Sequence, residues 1–229
     1  MLGSFDSVEG LDIDKTVVLD YTQNVADITL DAVATTCGIA STTGDDTHTG
    51  SGAVDVVVTD AGNDTVNNIG SAGDIVYGQD GDDKVEIVDN LFKRIDGGDG
   101  IDTLLLSTSI DLTGLDGLVN MERINMTNAA PDTLQLDIGD LVSFVGDNAL
   151  EYMLPGGSEK MIIDGDATDT VILNGQDLSD ISGGTLGDAG ITSDYMDVKI
   201  DGENYIKFVH AGLDLELYVH SDLVDDTPM

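Results

Sequence analysis

Tryptophan is absent from this chain of 229 residues, and cysteine occurs once, at Cys37. A single cysteine excludes an internal disulfide. Without a supporting His and Asn pattern, Cys37 reads as a small core or cap residue rather than a nucleophile. Basic residues are nearly as scarce, since eight Lys and Arg stand against 45 Asp and Glu for a formal charge of −37. No basic stripe is available to neutralise phosphates, which argues against nucleic acid and against anionic membrane surfaces as partners. No apolar run approaches the ~20 residues a membrane helix needs, so membrane insertion is not expected. The opening MLGSFDSVEG is acidic and lacks the basic, apolar and cleavage segments of a secretory leader. That suits export by an uncleaved C-terminal signal and equally a piece of a larger protein. HExxH, GxSxG and the P-loop glycine-lysine motif are missing, and carboxylates are too numerous for any pair to single out acid/base chemistry. His210 and His220, ten residues apart in β-rich sequence, read as structural or surface residues. A non-enzymatic protein is expected.

A chain so acidic repels itself when compact. Its hydrophobic content of 41% nonetheless exceeds what permanent disorder tolerates, so the composition points to folding that depends on bound cations.

What is present is a repeat. Between Ser41 and Leu105 a nine-residue pattern runs STTGDDTHT, GSGAVDVVV, TDAGNDTVN, a spare Asn68, IGSAGDIVY, GQDGDDKVE, the divergent IVDNLFKRID, and GGDGIDTLL. Each block approximates G-G-x-G-x-D-x-U-x, with U apolar. Two blocks make one turn of a coil: a tight loop, a three-residue strand, a second loop and a second strand. Alternate blocks collect one edge of the stack, where Asp46, Asp64, Asp83 and Asp102 stand 18, 19 and 19 residues apart. Gly44, Gly62, Gly81 and Gly100 each precede one of these aspartates by two residues, and Asp60, Asp80, Gly98 and Asp99 share the same loops. Glycine permits the positive φ that turns successive carbonyls inward, and the carboxylate completes an all-oxygen cage suited to a hard cation such as Ca²⁺. Several ions are expected.

The opposite edge is weaker, with Asp55 and Asp74 spaced 19 apart and a third loop that gives way to Leu91, Phe92, Lys93 and Arg94. Cations should therefore line mainly the first edge. The loops do not follow D-x-D-x-D-G with a Glu at the twelfth position, so an EF-hand is a poor fit. Val66, Val85 and Leu104 occupy the inward U position. His48 takes that position in the first block and is expected to lie partly exposed beside a cap, because no second His or Cys stands at ligand spacing.

The Ser41–Leu105 stretch resembles the RTX (repeats-in-toxin) β-roll of bacterial proteins exported by type I secretion. The downstream sequence, from GGDGIDTLLLSTSIDLTGLDGLVNMERINMTN through DTVILNGQDLSDISG to YIKFVHAGLDLELYV, is similar to the C-terminal region of very large RTX adhesins. The resemblance implies an all-β parallel β-solenoid with Ca²⁺ in its Gly/Asp-rich turns. It also implies a secreted or bacterial cell-surface location, passage through the type I secretion machinery, and a monomer whose surface ligand, if any, binds other parts of the parent protein. The same repeats would serve as the C-terminal roll of a secreted protease or lipase. A glycan-, cell- or ice-binding face would show as outward Thr47, Thr65 and Thr103, a row that Lys84 interrupts.

Residues 1–40 are expected to cap the coil with the strands KTVVLDY and ADITLDA, Asp27 adding one degenerate turn. Residues 106–229 are expected to extend it through SIDLTGL, MERINMT, DTLQLD, KMIIDGD and DTVILNG, with Glu122 lying 20 residues past Asp102. IGDLVSFVGDNAL could form a short helix across the end. The loop DGDATD keeps Asp169 but has Ala167 where Gly is needed, so a residual or absent ion site is expected there. Ser193–Leu223 should form a terminal sheet with reversals at DGEN and HAGLD that covers the open end of the coil, and SDLVDDTPM should fray. All three parts are expected to form one continuous unit.

Overall fold

The computed structural model describes residues 41–224, apart from 71–72, 129, 146–149, 151–153, 155–157, 181–184, 187–190 and 211. The expected N-terminal strands, Asp27 and Cys37 lie outside the described residues. The described chain is all-β with one short helix, and its strands run mainly parallel. No described helix is long and apolar enough to cross a membrane.

Strands β1 (Thr47–Thr49) and β2 (Val56–Val58) make the first turn, β3 (Thr65–Ile69) and β4 (Ile75–Asp80) the second, and β5 (Lys84–Ile87) and β6 (Arg94–Asp99) the third. Odd strands stack in one sheet and even strands in another, all in parallel register. From β7 (Thr103–Leu106) the turn grows, passing through β8 (Ile110–Asp111) before β9 (Leu118–Val119) rejoins the second sheet. β10 (Arg123–Asn125), β11 (Thr133–Leu136), β12 (Glu159–Asp164), β13 (Thr170–Leu173) and β14 (Gln176–Asp177) continue the coil, with β8, β11, β13 and β14 forming a third sheet.

Registered stacking explains the core. His48, Val66, Val85, Leu104, Ile124 and Ile163 are successive partners along the first sheet, so one side chain per turn meets its counterpart above and below. Val57, Val76, Ile95 and Leu118 form the second ladder, and Ile110, Leu134 and Val171 the third. Most of these are fully buried, and each Val, Leu or Ile removed from water contributes about 1.5–3 kcal/mol. Contrary to expectation, His48 is buried too, at 3% exposure, and neither ring nitrogen has a hydrogen-bond partner. The inward position imposes burial whatever residue occupies it.

The helix α1 (Ile138–Phe144) lies beside β9, where the Phe144 carbonyl accepts the Met121 N–H at 2.9 Å, so it covers the exposed edge of the second sheet. β15 (Thr185–Leu186), β16 (Ile191–Ile200), β17 (Glu203–His210) and β18 (Leu215–His220) form an antiparallel set with the reversals expected between β16, β17 and β18. This set covers the coil's end at the first sheet, as expected, and does so by strand pairing. β18 pairs parallel with β12, extending the first sheet edgewise to ten strands, because an unpaired β12 would leave a row of backbone groups without partners. The Arg123 guanidinium ties the pieces together, bonding the buried Asp164 carboxylate through two nitrogens and Asp201 at 3.0 Å, while the Tyr205 hydroxyl donates to Asp164 at 2.5 Å. The expected fraying is also corrected in part: Ser221–Leu223 form a 3-10 turn that buries Leu223 against the core.

Candidate metal centre

The repeat loops bring four aspartates to the starts of β1, β3, β5 and β7. Each turn is joined to the next by the same bond, as the N–H of Asp46, Asp64, Asp83 and Asp102 donates to Oδ1 of Asp64, Oδ1 of Asp83, Oδ1 of Asp102 and Oε2 of Glu122, at 2.6, 2.7, 2.7 and 2.9 Å. One oxygen of each carboxylate is thereby used. The second oxygen of Asp64, Asp83 and Asp102 is buried and has no hydrogen-bond partner. Leaving a buried acceptor unsatisfied costs about 1–3 kcal/mol, and more when it is charged, so three in a row mark a place where something else supplies the positive end.

The remaining aspartates sort by the same test. Asp46 Oδ2 accepts the Thr42 N–H and hydroxyl at 2.7 and 2.9 Å, which holds its carboxyl below the usual range. On the opposite edge Asp55 Oδ2 takes the Ser51 N–H at 2.5 Å and Asp74 Oδ2 the Gly70 N–H at 3.0 Å, so both buried carboxylates are closed by their own loops. Asp169 is closed as well, with Oδ1 accepting from Asp132 N at 3.0 Å and Oδ2 from Asp166 N at 2.9 Å. Asp60, Gln79 and Gly98, four positions ahead of the three open carboxylates, have φ of 73°, 79° and 109°. Gly70, at the same place ahead of the closed Asp74, also has a positive φ, 153°, so this conformation does not by itself separate open from closed.

Gly62, Gly81 and Gly100 hold φ of 131°, 130° and 145°, and their Cα atoms lie so near the loop above that an added Cβ would fall under 3.0 Å from backbone of Gly44, Gly62 and Gly81 respectively. Gly44 itself is exposed and uncrowded. Asp60, Asp80 and Asp99 are exposed at the rim and do not converge on the buried oxygens. A second row of bonds along the rim, from Asn63 N to Asp45, Asp82 N to Asn63 and Ile101 N to Asp82 at 3.0, 3.0 and 2.8 Å, keeps these loops in register.

Two residues absent from the sequence-derived set, Gly78 and Gly97, lie against these carboxylates. A Cβ on Gly78 would fall under 3.0 Å from both Asp83 Oδ2 and the Gly97 carbonyl oxygen; one on Gly97 would meet Asp102 Oδ2 and the Asn120 carbonyl in the same way. Each glycine therefore lets a carboxylate oxygen and a carbonyl oxygen pack closely where any side chain would clash. Ser41 and Thr59 stand at the same block position in earlier turns, and their hydroxyls instead donate to the carbonyls of Thr59 and Gly78, the latter at 2.7 Å. The first G of the G-G-x-G-x-D pattern carried this signal.

All these donors are oxygens, and they fit a hard cation. Among the described residues no group of three or more His, Cys, Asp or Glu side chains is placed to hold a metal ion. Thr65 and Thr103 are half-buried and buried respectively, and Lys84 lies between them in register, so no continuous outward Thr row exists.

Burial pushes Asp83 up to about 6 and Asp102 up to about 8 from the ordinary 3.8, with neighbouring carboxylates adding to the shift and the cross-turn N–H opposing it. A raised folded-state value makes the protonated form the stabilising one. That contribution is complete below the ordinary carboxylate range and lost as pH rises through 6 to 8. In chelator, the metal-free chain is thus expected to keep more of its β signal in circular dichroism at pH 5.5 than at pH 8.5. Equal signals at the two values would show that these carboxylates are not buried as described.

Comparison with protein-family models found no match, and neither did comparison with curated proteins or with solved structures.

Proposed function

We propose that the Ser41–Leu105 coil is a calcium-dependent β-roll of the RTX type, and that the chain is a non-enzymatic folding and export module from the C-terminal region of a large secreted bacterial adhesin. The reading is carried by the three buried oxygens, Asp64 Oδ2, Asp83 Oδ2 and Asp102 Oδ2, that lack any partner beside turns built of left-handed residues. Bound Ca²⁺ would supply the positive charge these carboxylates need. The chain's own part is to hold the carboxylates one turn apart through the N–H to Oδ1 bonds and to pack loop carbonyls beside them. Where free Ca²⁺ is scarce, as inside a cell, mutual repulsion in a chain of charge −37 keeps the repeat open and suited to passage through a type I exporter. Outside, roughly millimolar Ca²⁺ matches the weak extracellular class of sites, and each site filled at a hundred times its Kd adds about 2.7 kcal/mol to the folded state. Folding then comes after export and opposes return.

The test is a comparison of three substitutions by urea unfolding across a range of Ca²⁺ concentrations. Asp64→Ala and Asp83→Ala should each flatten the rise of stability with Ca²⁺. Asp169→Ala should lower stability by about 1–3 kcal/mol at every Ca²⁺ level, because it strips acceptors from the Asp132 and Asp166 N–H groups without removing an open oxygen. Identical Ca²⁺ dependence in all three would refute the reading.

A further inference from the structure

We propose that Ile101 is a latch residue: it docks the last repeat loop against the outer face of the terminal hairpins, so that the end of the repeat and strands β16–β18 are ordered together. In the loops that lead to Asp46, Asp64 and Asp83 the residue next to the aspartate is Asp45, Asn63 or Asp82, and its Oδ1 accepts the N–H of the equivalent residue one turn on. Ile101 holds that place beside Asp102. It donates its N–H to Asp82 at 2.8 Å but has no side-chain acceptor to offer the next turn, so the polar rim row ends with it.

The isoleucine side chain has a different partner. On its outer face the first sheet carries a second apolar cluster, separate from the coil's interior, in which Leu150, Leu154, Ile162, Ile200, Tyr205 and Tyr218 are buried. Ile101, half-buried, packs against it. Among the described residues Ile101 is the repeat's only contribution; the other members come from β12, β16, β17, β18 and the segment before β12. A polar link runs beside the apolar one. Arg123, in register with Thr103 two residues past Ile101, bonds Asp201 in the β16–β17 reversal at 3.0 Å and the Tyr205 hydroxyl at 3.4 Å. Strands β12 and β18 lie between β10 and β17 in the sheet, so these contacts require the reversal to lean back over the outer face toward the repeat. Isoleucine gains by leaving water there, whereas the aspartate found one turn earlier would lose hydration without gaining a partner.

The repeat and the hairpins are thereby joined twice, by strand pairing within the first sheet and by packing over its outer face. Order imposed on the last repeat loop passes to β16–β18, which carry none of the three open carboxylates. By linkage, loosening the hairpins loosens the loop by the same factor. Where Ca²⁺ fills the repeat, the hairpins become Ca²⁺-responsive without an ion of their own. That consequence rests on the calcium reading; the docking of Ile101 does not.

Hydrogen exchange of the whole chain, read by mass spectrometry, tests the latch. Ile101→Asp installs the side chain that Asp82 carries one turn earlier. It should speed exchange of Glu203–His210 and Leu215–His220 roughly tenfold or more while Thr65–Ile69 keeps its wild-type protection. Ile101→Val, which removes one methylene, should fall between that variant and the wild type. Ile200→Ala gives the reciprocal reading and serves if Ile101→Asp does not fold: exchange of Thr103–Leu106 should quicken. Wild-type exchange of the hairpins in Ile101→Asp, acceleration spread evenly over every strand, or wild-type exchange of Thr103–Leu106 in Ile200→Ala would each overturn the latch. Native mass spectrometry of the wild-type chain at roughly millimolar Ca²⁺ reports on the other reading separately. Ion uptake with unmoved hairpins removes the latch and leaves the calcium reading standing; quickened hairpins with no uptake do the reverse.

Discussion

Adding EDTA to the calcium-loaded protein is expected to abolish most of its β signal in circular dichroism, and restoring Ca²⁺ is expected to bring the signal back. The size of the effect comes from how the coil is held together. The carboxylates of Asp64, Asp83 and Asp102 are each within 2% of complete burial, and each is linked to its neighbour through one oxygen while the other stays open. Three sites filled at a hundred times their Kd would together contribute about 8 kcal/mol, which is comparable with the whole stability of a typical domain, about 5–15 kcal/mol. Their loss removes the offset to three buried charges in a chain already carrying −37. In each turn the first sheet sets only two apolar side chains against these charges, Val66 with Ile69, Val85 with Ile87 and Leu104 with Leu106. A spectrum unchanged in EDTA would sink the ion-dependent account.

Gly81→Ala should be strongly damaging, as should the same change at Gly98 and Gly100, which share its positive φ and its backbone contact. Gly81 sits at φ of 130°, where a side chain is strained, and a Cβ there would fall under 3.0 Å from the carbonyl oxygen and carbon of Gly62. The strain alone costs on the order of 1–3 kcal/mol. The contact adds to it, because the atoms displaced are backbone of Gly62 in the adjoining turn, and their movement would disturb the 2.9 Å bond from Gly62 N to the Asp80 carbonyl. A loss of about 3 kcal/mol or more in urea unfolding at saturating Ca²⁺ is expected. Gly52→Ala is the matched control: no atom lies within 4 Å of its added Cβ, and its φ is outside the left-handed range. It should change stability by less than about 0.5 kcal/mol. Similar losses for both would mean that the turns do not approach each other as described.

The candidate centre was legible only in part. Spacing alone located Asp46, Asp64, Asp83 and Asp102 on one edge, because a turn of constant length repeats its loop at a constant interval. Spacing could not separate Asp46 from the other three. Asp46 is closed by Thr42, whereas no N–H reaches the second oxygen of Asp64, Asp83 or Asp102. Asp60, Asp80 and Asp99 looked equivalent in sequence as loop carboxylates and prove to be exposed rim residues. Gly78 and Gly97 escape a reading centred on the glycine nearest each aspartate, because the close approach of the carboxylate is to the first glycine of the block.

The same division holds for the fold. Local pattern determined the strands, the inward position in each block, the length of each turn and the places where the chain must reverse, since these depend on residues within a few positions of one another. Tertiary structure decided the rest: His48 is buried by its place in the stack, the terminal hairpins close the coil through the pairing of β18 with β12, and Glu122 accepts the cross-turn N–H that an aspartate accepts in the repeat. In each case the deciding contact is made by a residue one turn or more away in the chain. No local rule of spacing or propensity reaches that far.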